Sequence, residues 1–313
     1  MRVFFKQSKS ALDQITNLFT FTWGTSAAIW NLRWQYNGLK NEIGDTHGEQ
    51  IIKKRFTDGA DIDGVNFQKF YSEMTWNDHK EELARYVLFL LFATYESWLD
   101  SLTSIFDLNS ENSIECFTKG FQFLSNKKNS YSFNINMKKY IKGDSAILKT
   151  LSDSYITTNK SKEIKNIDNY EIVYRLFKEI RNKFIHGNGI ADADLVTIYE
   201  KYRLLSKNDF GLKEKPMLNK IENGKRVVLD LRGIVGFSEV ISRLIIHIDN
   251  RLMVNENFES IMAGYISEVI ESIEKAEDRL KIKKVFSKFH FEYGFPINAT
   301  EPFSIFVNTR NLI

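Results

Sequence analysis

Residues 77 to 102 read NDHKEELARYVLFLLFATYESWLDSL, and between Tyr86 and Trp98 this stretch is apolar nearly all the way round a helix. A helix with one apolar stripe can lie on a surface, but one that is apolar on every side has to be surrounded. The stretch therefore calls for a fold in which several elements pack against one central helix. Asp78, Glu81 and Glu82 stand where a helix N-terminus favours negative charge. Only three prolines occur in 313 residues, so long helices can run uninterrupted and a turn-rich β architecture is disfavoured. The expected fold class is mainly α.

A second helix is marked over residues 170 to 190, YEIVYRLFKEIRNKFIHGNGI. Ile172, Val173, Leu176, Phe177, Ile180 and Phe184 recur at three- and four-residue spacing and form one apolar face. Gly187-Asn188-Gly189 supply residues that accept left-handed conformations, so the helix is expected to stop there, with His186 in or just after its last turn. At about 100° per residue, with Ile180 at zero, Arg181, Ile185, Asn182 and His186 run from about 100° to 240°, away from the helix's own core. Arg, Asn and His around an isoleucine suit a face that meets another chain.

Arg181-Asn182 followed by His186 and then Gly187 resembles the R-x4-6-H motif of the HEPN superfamily, whose active members are metal-independent ribonucleases. The resemblance implies a small HEPN-like helical bundle that dimerises so that two motifs line one cleft. It implies Arg181 and His186 as catalytic residues, with Asn182 orienting the histidine or the backbone. It also implies a polar or acidic residue from an earlier helix approaching the histidine, for which Glu96 is the candidate and Asp100, one turn later, the next. No metal and no cofactor are implied. The partners implied are a second copy of the chain through the Arg181–His186 face, an RNA substrate, and an antitoxin or defence-system partner. The biological role that comes with the resemblance is a toxin or an anti-phage effector.

The residue types fit that chemistry. RNA carries its own nucleophile, the 2′-OH, next to the phosphate it attacks. A protein then has to remove the 2′ proton, protonate the departing 5′ oxygen and stabilise charge on the phosphoryl oxygens. Histidine serves the proton transfers because it titrates near neutrality. Arginine serves the third task with a planar fork that stays charged. On a regular helix Arg181 and His186 lie about 140° apart, too splayed to grip one phosphate, unless the helix end is distorted after Phe184 or a second copy supplies the missing group. The alternative is a non-catalytic HEPN-like RNA- or protein-binding module or a scaffold subunit. In that case Arg181 pairs with a surface acid and His186 meets the dipole at the helix end.

A formal charge of +3 permits nucleic-acid binding without requiring it. The single cysteine, Cys116, allows neither an internal disulfide nor a cysteine-based zinc site. The longest apolar run, residues 86 to 93, is shorter than the roughly 18 to 20 residues a membrane span needs, and the first residues lack an apolar signal core. No membrane contact and a cytoplasmic location are expected. Phosphate-loop, zinc-protease and nucleophile-elbow motifs are absent. Residues 58 to 64 suggest a calcium loop, but Lys69 stands where its closing acid would be.

Three sections are expected. Residues 1 to 76 form an N-terminal helical section with a dense aromatic group, Ile29, Trp30, Leu32, Trp34 and Tyr36, expected to fill a core rather than stack nucleobases. Residues 77 to 255 form the HEPN-like core with an insertion at about 104 to 168. That insertion holds a lysine-rich stretch interleaved with Tyr131, Phe133 and Tyr140, one composition that holds single-stranded nucleic acid. Within the core, residues 192 to 206 are expected as a helix, and residues 217 to 221 and 226 to 231 as a β-hairpin about Asn223-Gly224. A helix over 237 to 253 carries a second Arg/His pair, Arg243 and His247, four apart among isoleucines and expected to be structural. Residues 256 to 313 form a C-terminal section, with a helix over 258 to 285 and an aromatic tail that alternates in places as strands do.

Overall fold

The apolar helix over 77 to 102 packs along one face only: Leu88, Leu91, Tyr95 and Leu99 are buried, while Tyr86 and Leu90 are exposed, so the expectation of a helix surrounded on every side is corrected. The computed structural model describes residues 3–43, 48–58, 64–106, 111–123, 145–158, 164–212, 214–255, 258–273, 278–293 and 300–312, with positions 108, 133, 137 and 140. In chain order the helices are α1 (Lys6–Ile43), α2 (Gly48–Thr57), a π-helical segment (Gln68–Glu73), α3 (Trp76–Ile105), α4 (Glu111–Phe121), α5 (Ala146–Thr158), α6 (Ile167–His186), α7 (Ala193–Leu204), α8 (Lys207–Phe210), α9 (Leu231–Leu252), α10 (Phe258–Glu271), α11 (Asp278–Tyr293) and α12 (Thr300–Thr309). The described residues are mainly helical, with one isolated β-bridge among them.

A capping box starts α3. The Thr75 hydroxyl accepts from the Asp78 amide, and Asp78 accepts from the Thr75 amide. Behind that cap Leu88, Leu91, Phe92, Tyr95, Leu99 and Leu102 are fully buried, each contributing roughly 1.5–3 kcal/mol of burial relative to exposure. Four helices close a ring around this core. Trp98 of α3 donates to Ser8 of α1 at 3.0 Å, and Arg33 near the other end of α1 reaches the Met74 carbonyl just before α3. These two contacts make α1 and α3 antiparallel. Glu96 lies near Lys178 and Arg85 near Phe184, so α3 and α6 are antiparallel as well. Phe177 stacks on Phe237 at 4.2 Å and Arg243 faces Tyr170, giving α6 and α9 the same relation. Asp249, near the end of α9, closes the ring by accepting from the Phe4 and Phe5 amides at 2.6 and 3.0 Å at the start of α1.

Asp249 is completely buried, and burial pushes its carboxyl up to about 7 despite those two donors and Ser8. It caps the opening of α1 from 245 residues away. A smaller cluster of Tyr36, Phe67 and Tyr71, joined by Leu32, Leu39 and Phe56, ties the far end of α1 to the π-helical segment.

Several expectations are corrected. The 217–221 and 226–231 segments do not pair with each other. The turn at Asn223-Gly224 forms, with Gly224 at φ +76° and the Lys225 amide donating to the Glu222 carbonyl at 3.1 Å. Its second arm pairs with residues 189–191 instead, through Val227 to Gly189 at 2.8 Å, Ala191 to Lys225 at 2.9 Å and the Ile190–Arg226 antiparallel bridge. A short pairing between Ile190 and Arg226, distant in sequence, has no periodicity by which to be seen. The expected 258–285 helix is broken between α10 and α11, and the tail contains a helix, α12, where alternation suggested strand. Phe303, Phe306 and Val307 of α12 are buried at helical spacing, so the 3.6-residue period wins there. The α1 aromatics do not all fill a core. Tyr36 is buried, while Trp30 and Trp34 are exposed.

Residues 192 to 206 fold as α7, with Asp192 as the N-cap accepting from Leu195 at 3.0 Å. In the lysine-rich stretch Phe133 and Tyr140 are buried in the core and Tyr140 donates to Ser113, while Tyr131 lies outside the described residues. Positions 59–63 of the loop compared with a calcium site also lie outside them. Among the described residues no group of His, Cys, Asp and Glu is arranged to hold a metal ion, and no helix is long and apolar enough to cross a membrane.

Candidate active site at the end of α6

The sequence sets both ends of α6. Asn166 caps its start by accepting from Asp168 at 3.0 Å. At the other end the Gly187 and Gly189 amides both donate to the Lys183 carbonyl, at 2.8 and 2.9 Å. Asn188 and Gly189 are left-handed, at φ +52° and +78°, which closes the last turn in the manner of a Schellman cap. Gly189 has a second constraint. A Cβ there would stand 2.7 Å from the Phe184 ring, so the turn folds back onto the side chain that ends the apolar face. The Gly189–Val227 and Ala191–Lys225 hydrogen bonds then pin the segment after the motif to the 222–227 turn. Lys183 pairs with the α7 cap Asp192. The hydrogen bond between them raises the Lys183 pKa and lowers that of Asp192, to which the Leu195 amide also contributes.

On this frame Tyr174, Lys178, Arg181 and Ile185 form one stripe along α6, facing the neighbouring face of α3. Glu96 of α3 lies between the two cations, 3.7 Å from Lys178 Nζ and 3.7 Å from an Arg181 nitrogen. These separations are longer than the roughly 2.7–2.9 Å of a direct ionic hydrogen bond. The Arg181 guanidinium also lies 5.7 Å from the Phe92 ring centroid, and its Nε is buried with no hydrogen-bond partner. Lys178 donates to Gln122 at 2.7 Å and sits 5.8 Å from the Tyr174 ring. Burial pushes the Lys178 ammonium below its usual range, and Glu96 works against that shift. The Tyr174 hydroxyl is buried without a partner, and burial raises its pKa well above the ordinary value, with Tyr95 and Glu96 adding to the effect.

The four expected site residues are therefore placed as follows. Arg181 is partly buried at the seam between α3 and α6, and Glu96 reaches Arg181 and Lys178. Asn182 is half-buried and His186 exposed, and neither has a side-chain hydrogen bond with a described residue. The acid expected to approach His186 meets Arg181 instead, and Asp100 is exposed two turns beyond the cluster's Phe92. The helix stays hydrogen-bonded to its end, with no distortion after Phe184. Arg181 and His186 thus remain about 140° and roughly 7.5 Å of helix rise apart, and one copy cannot close both on a single phosphate. Ile185, between them, is 47% exposed, and Tyr86 and Leu90 on α3 are exposed as well.

Lys178 belongs to this cluster and was not singled out from sequence. The signal was available: it lies three residues before Arg181 on the same stripe. The rival pair on α9 is arranged differently. Arg243 is buried and holds Glu239 at 3.0 Å, the Gly211 and Phe210 carbonyls at 3.1 and 3.4 Å, and the Tyr170 hydroxyl at 3.5 Å. His247 faces the Phe133 ring, and burial, with the Arg251 charge, pushes its pKa down to about 4. These two are structural.

No protein-family model matches the chain, and neither a curated protein nor a solved structure matches it significantly.

Proposed function

We infer that the protein is a metal-independent endoribonuclease that acts as a homodimer, with the Arg181–His186 faces of two copies meeting around one RNA strand. The observation that carries this reading is the seam cluster. Arg181 and Lys178 share one carboxylate at long distance beside an exposed apolar position, Ile185, and His186 is exposed at the helix end with no side-chain hydrogen bond to a described residue. An RNA phosphate entering the cluster competes with Glu96 for the Arg181 fork. One His186 takes the proton from the 2′-OH as O2′ bonds to phosphorus. The bond from phosphorus to O5′ breaks, and the His186 of the second copy protonates the departing oxygen. The products are a 2′,3′-cyclic phosphate and a 5′-OH. Asn182 orients His186 or the neighbouring backbone. Ile185, Tyr86 and Leu90 supply the apolar part of the contact between copies.

The role as a toxin or anti-phage effector, with an antitoxin or defence-system partner, rests on the family resemblance. The pairing of Arg181 with Glu96 also favours a second reading, a HEPN-like binding module in which the arginine is structurally engaged. Purified protein incubated with RNA in the presence of a chelator separates the two. Cleavage by the wild type that is lost in His186→Ala and Arg181→Ala supports the nuclease. RNA or protein binding without cleavage supports the module.

A further inference from the structure

The N-terminal helix carries an exposed aromatic ladder that the α6 site does not use. Phe19, Trp23, Trp30 and Trp34 stand at offsets 0, 4, 11 and 15 along α1, so they share one stripe, and Ser26 supplies the position at offset 7. Trp23, Trp30 and Trp34 are 50%, 41% and 64% exposed, high values for the residue type with most to gain from burial. Their rings touch only locally: Phe19 with Trp23, Trp30 with Trp34, and Trp30 with Trp76 at the start of α3.

Two features of this stripe point to its occupant. The first is symmetry. Phe19 and Trp34 are equidistant from the midpoint between Ser26 and Ala27, and so are Trp23 and Trp30. Small residues, Gly24 to Ala28, fill the centre, where a Cβ added to Gly24 would meet nothing within 4 Å. A stripe with this layout is complementary to itself when a second helix runs antiparallel across it, as a two-fold interface requires. The second is charge. Residues 14 to 32 contain no Asp, Glu, Lys or Arg, and Arg33 turns inward to the Met74 carbonyl. A nucleic-acid backbone or an anionic lipid surface is held by cations, and this face offers none. A second identical face asks for none.

We propose that α1 pairs antiparallel with α1 of a second copy, with Trp23 against Trp30 on each side of a crossing point at Ser26 and Ala27. The contact runs about 22 Å from Phe19 to Trp34. At about 150–250 Å² per aromatic side chain, the exposed parts of the three tryptophans come to roughly 230–390 Å² on each copy. Phe19, Ala27 and the neighbouring threonines bring the two-copy total to the order of 1,000 Å², the lower bound for a specific interface. This face is separate from the Arg181–His186 face, and a chain using both assembles beyond a dimer.

Disulfide trapping in a Cys116→Ser background tests the pairing while keeping all four aromatics. Ala27→Cys lies within about 1.5 Å of axial register with its own symmetry mate and is expected to cross-link to itself. Thr20→Cys lies about 20 Å from its mate and is expected to stay reduced. Adding Trp23→Glu and Trp30→Glu to Ala27→Cys is expected to lower the cross-linked fraction at least about tenfold, since it places charges in the centre of the contact. Ile185→Glu is expected to leave it unchanged, so failure at the α6 face is not mistaken for failure here. Absence of the Ala27→Cys cross-link, self-linking of Thr20→Cys, or cross-linking that survives both glutamates would overturn the proposal. So would sedimentation of monomeric wild-type protein with phosphatidylcholine vesicles.

Discussion

Two of the helices, α6 and α9, carry an arginine followed four or five residues later by a histidine, and they use them in opposite ways. On α9, Arg243 donates to a carboxylate, two carbonyls and a hydroxyl, and His247 sits against Phe133 with its pKa near 4. On α6, Arg181 shares one distant carboxylate with Lys178, and His186 has no side-chain partner among the described residues. Spacing alone would have favoured the α9 pair, four apart on one face. The difference lies in what surrounds each pair. Buried polar groups are retained when their hydrogen bonds are made, whereas groups left with open valences at a surface are available to a ligand.

The largest expected effect is on chemistry at α6. His186→Ala is expected to lower RNA cleavage by about 10²- to 10⁴-fold, measured by single-turnover assay. It should leave the unfolding midpoint within the range of an exposed substitution, about ±0.5 kcal/mol. The mirror experiment on α9 reverses the pattern. Arg243→Ala leaves the Gly211 carbonyl without its arginine donor and removes the contacts to Glu239 and the Tyr170 hydroxyl, which still donates to the Phe210 carbonyl at 2.8 Å, and is expected to cost about 1–3 kcal/mol of stability by denaturant titration. Similar stability loss from both substitutions would erase the distinction between the pairs.

Titration sharpens the comparison. His247 has a folded pKa below its unfolded value, so its contribution is present above about 6.5 and is lost as pH falls toward about 4. Asp249 has a folded pKa of about 7, above its unfolded value, so its contribution is present below about 4 and is lost as pH rises through about 7. In wild-type protein the two slopes oppose each other across the same window. Asp249→Asn is expected to leave a stability that rises with pH between about 4 and 6.5 relative to wild type, by an amount on the order of a few kcal/mol. His247→Gln should make it fall. Chemical denaturation at pH 4.5, 5.5 and 6.5 measures both, and parallel profiles for the three proteins would contradict the assignment.

Two smaller effects probe the support of the α6 site. Gly189→Ala forces a left-handed alanine against the Phe184 ring and is expected to cost about 1–3 kcal/mol, with a loss of cleavage if the turn positions His186. Glu96→Gln removes the carboxylate between Lys178 and Arg181. It is expected to change stability by less than about 1 kcal/mol, because the pair is partly exposed and long. The same substitution should tighten RNA binding by removing the negative charge that Arg181 and Lys178 share, as read by filter binding at two salt concentrations.

The local features of the fold were legible in the sequence. The α3 run, the α6 face and its glycine stop, and the Asp192 cap all follow from short-range periodicity and capping chemistry. What escaped was long-range. The 222–227 turn pairs with residues 189–191 and Asp249 caps a helix 245 residues earlier, and neither leaves a local pattern. The α1 aromatics were misjudged because large aromatics usually fill cores, although their spacing and the absence of charge from 14 to 32 were in view. Of the candidate site residues, Arg181, Asn182 and His186 were picked out by motif and Glu96 by its position beside an apolar run. That Glu96 lies by Arg181 and Lys178 within one copy depends on the helix register between α3 and α6, which is set by side-chain packing that sequence spacing does not encode.

The central claim is that the Arg181–His186 pair on α6 performs chemistry. Mass spectrometry of RNA fragments produced by the purified protein in a chelating buffer tests it most directly. The account predicts fragments ending in a 2′,3′-cyclic phosphate with 5′-OH partners, formed by the wild type and absent with His186→Ala. Intact RNA with the wild type, or the same fragments from the His186→Ala protein, would contradict it.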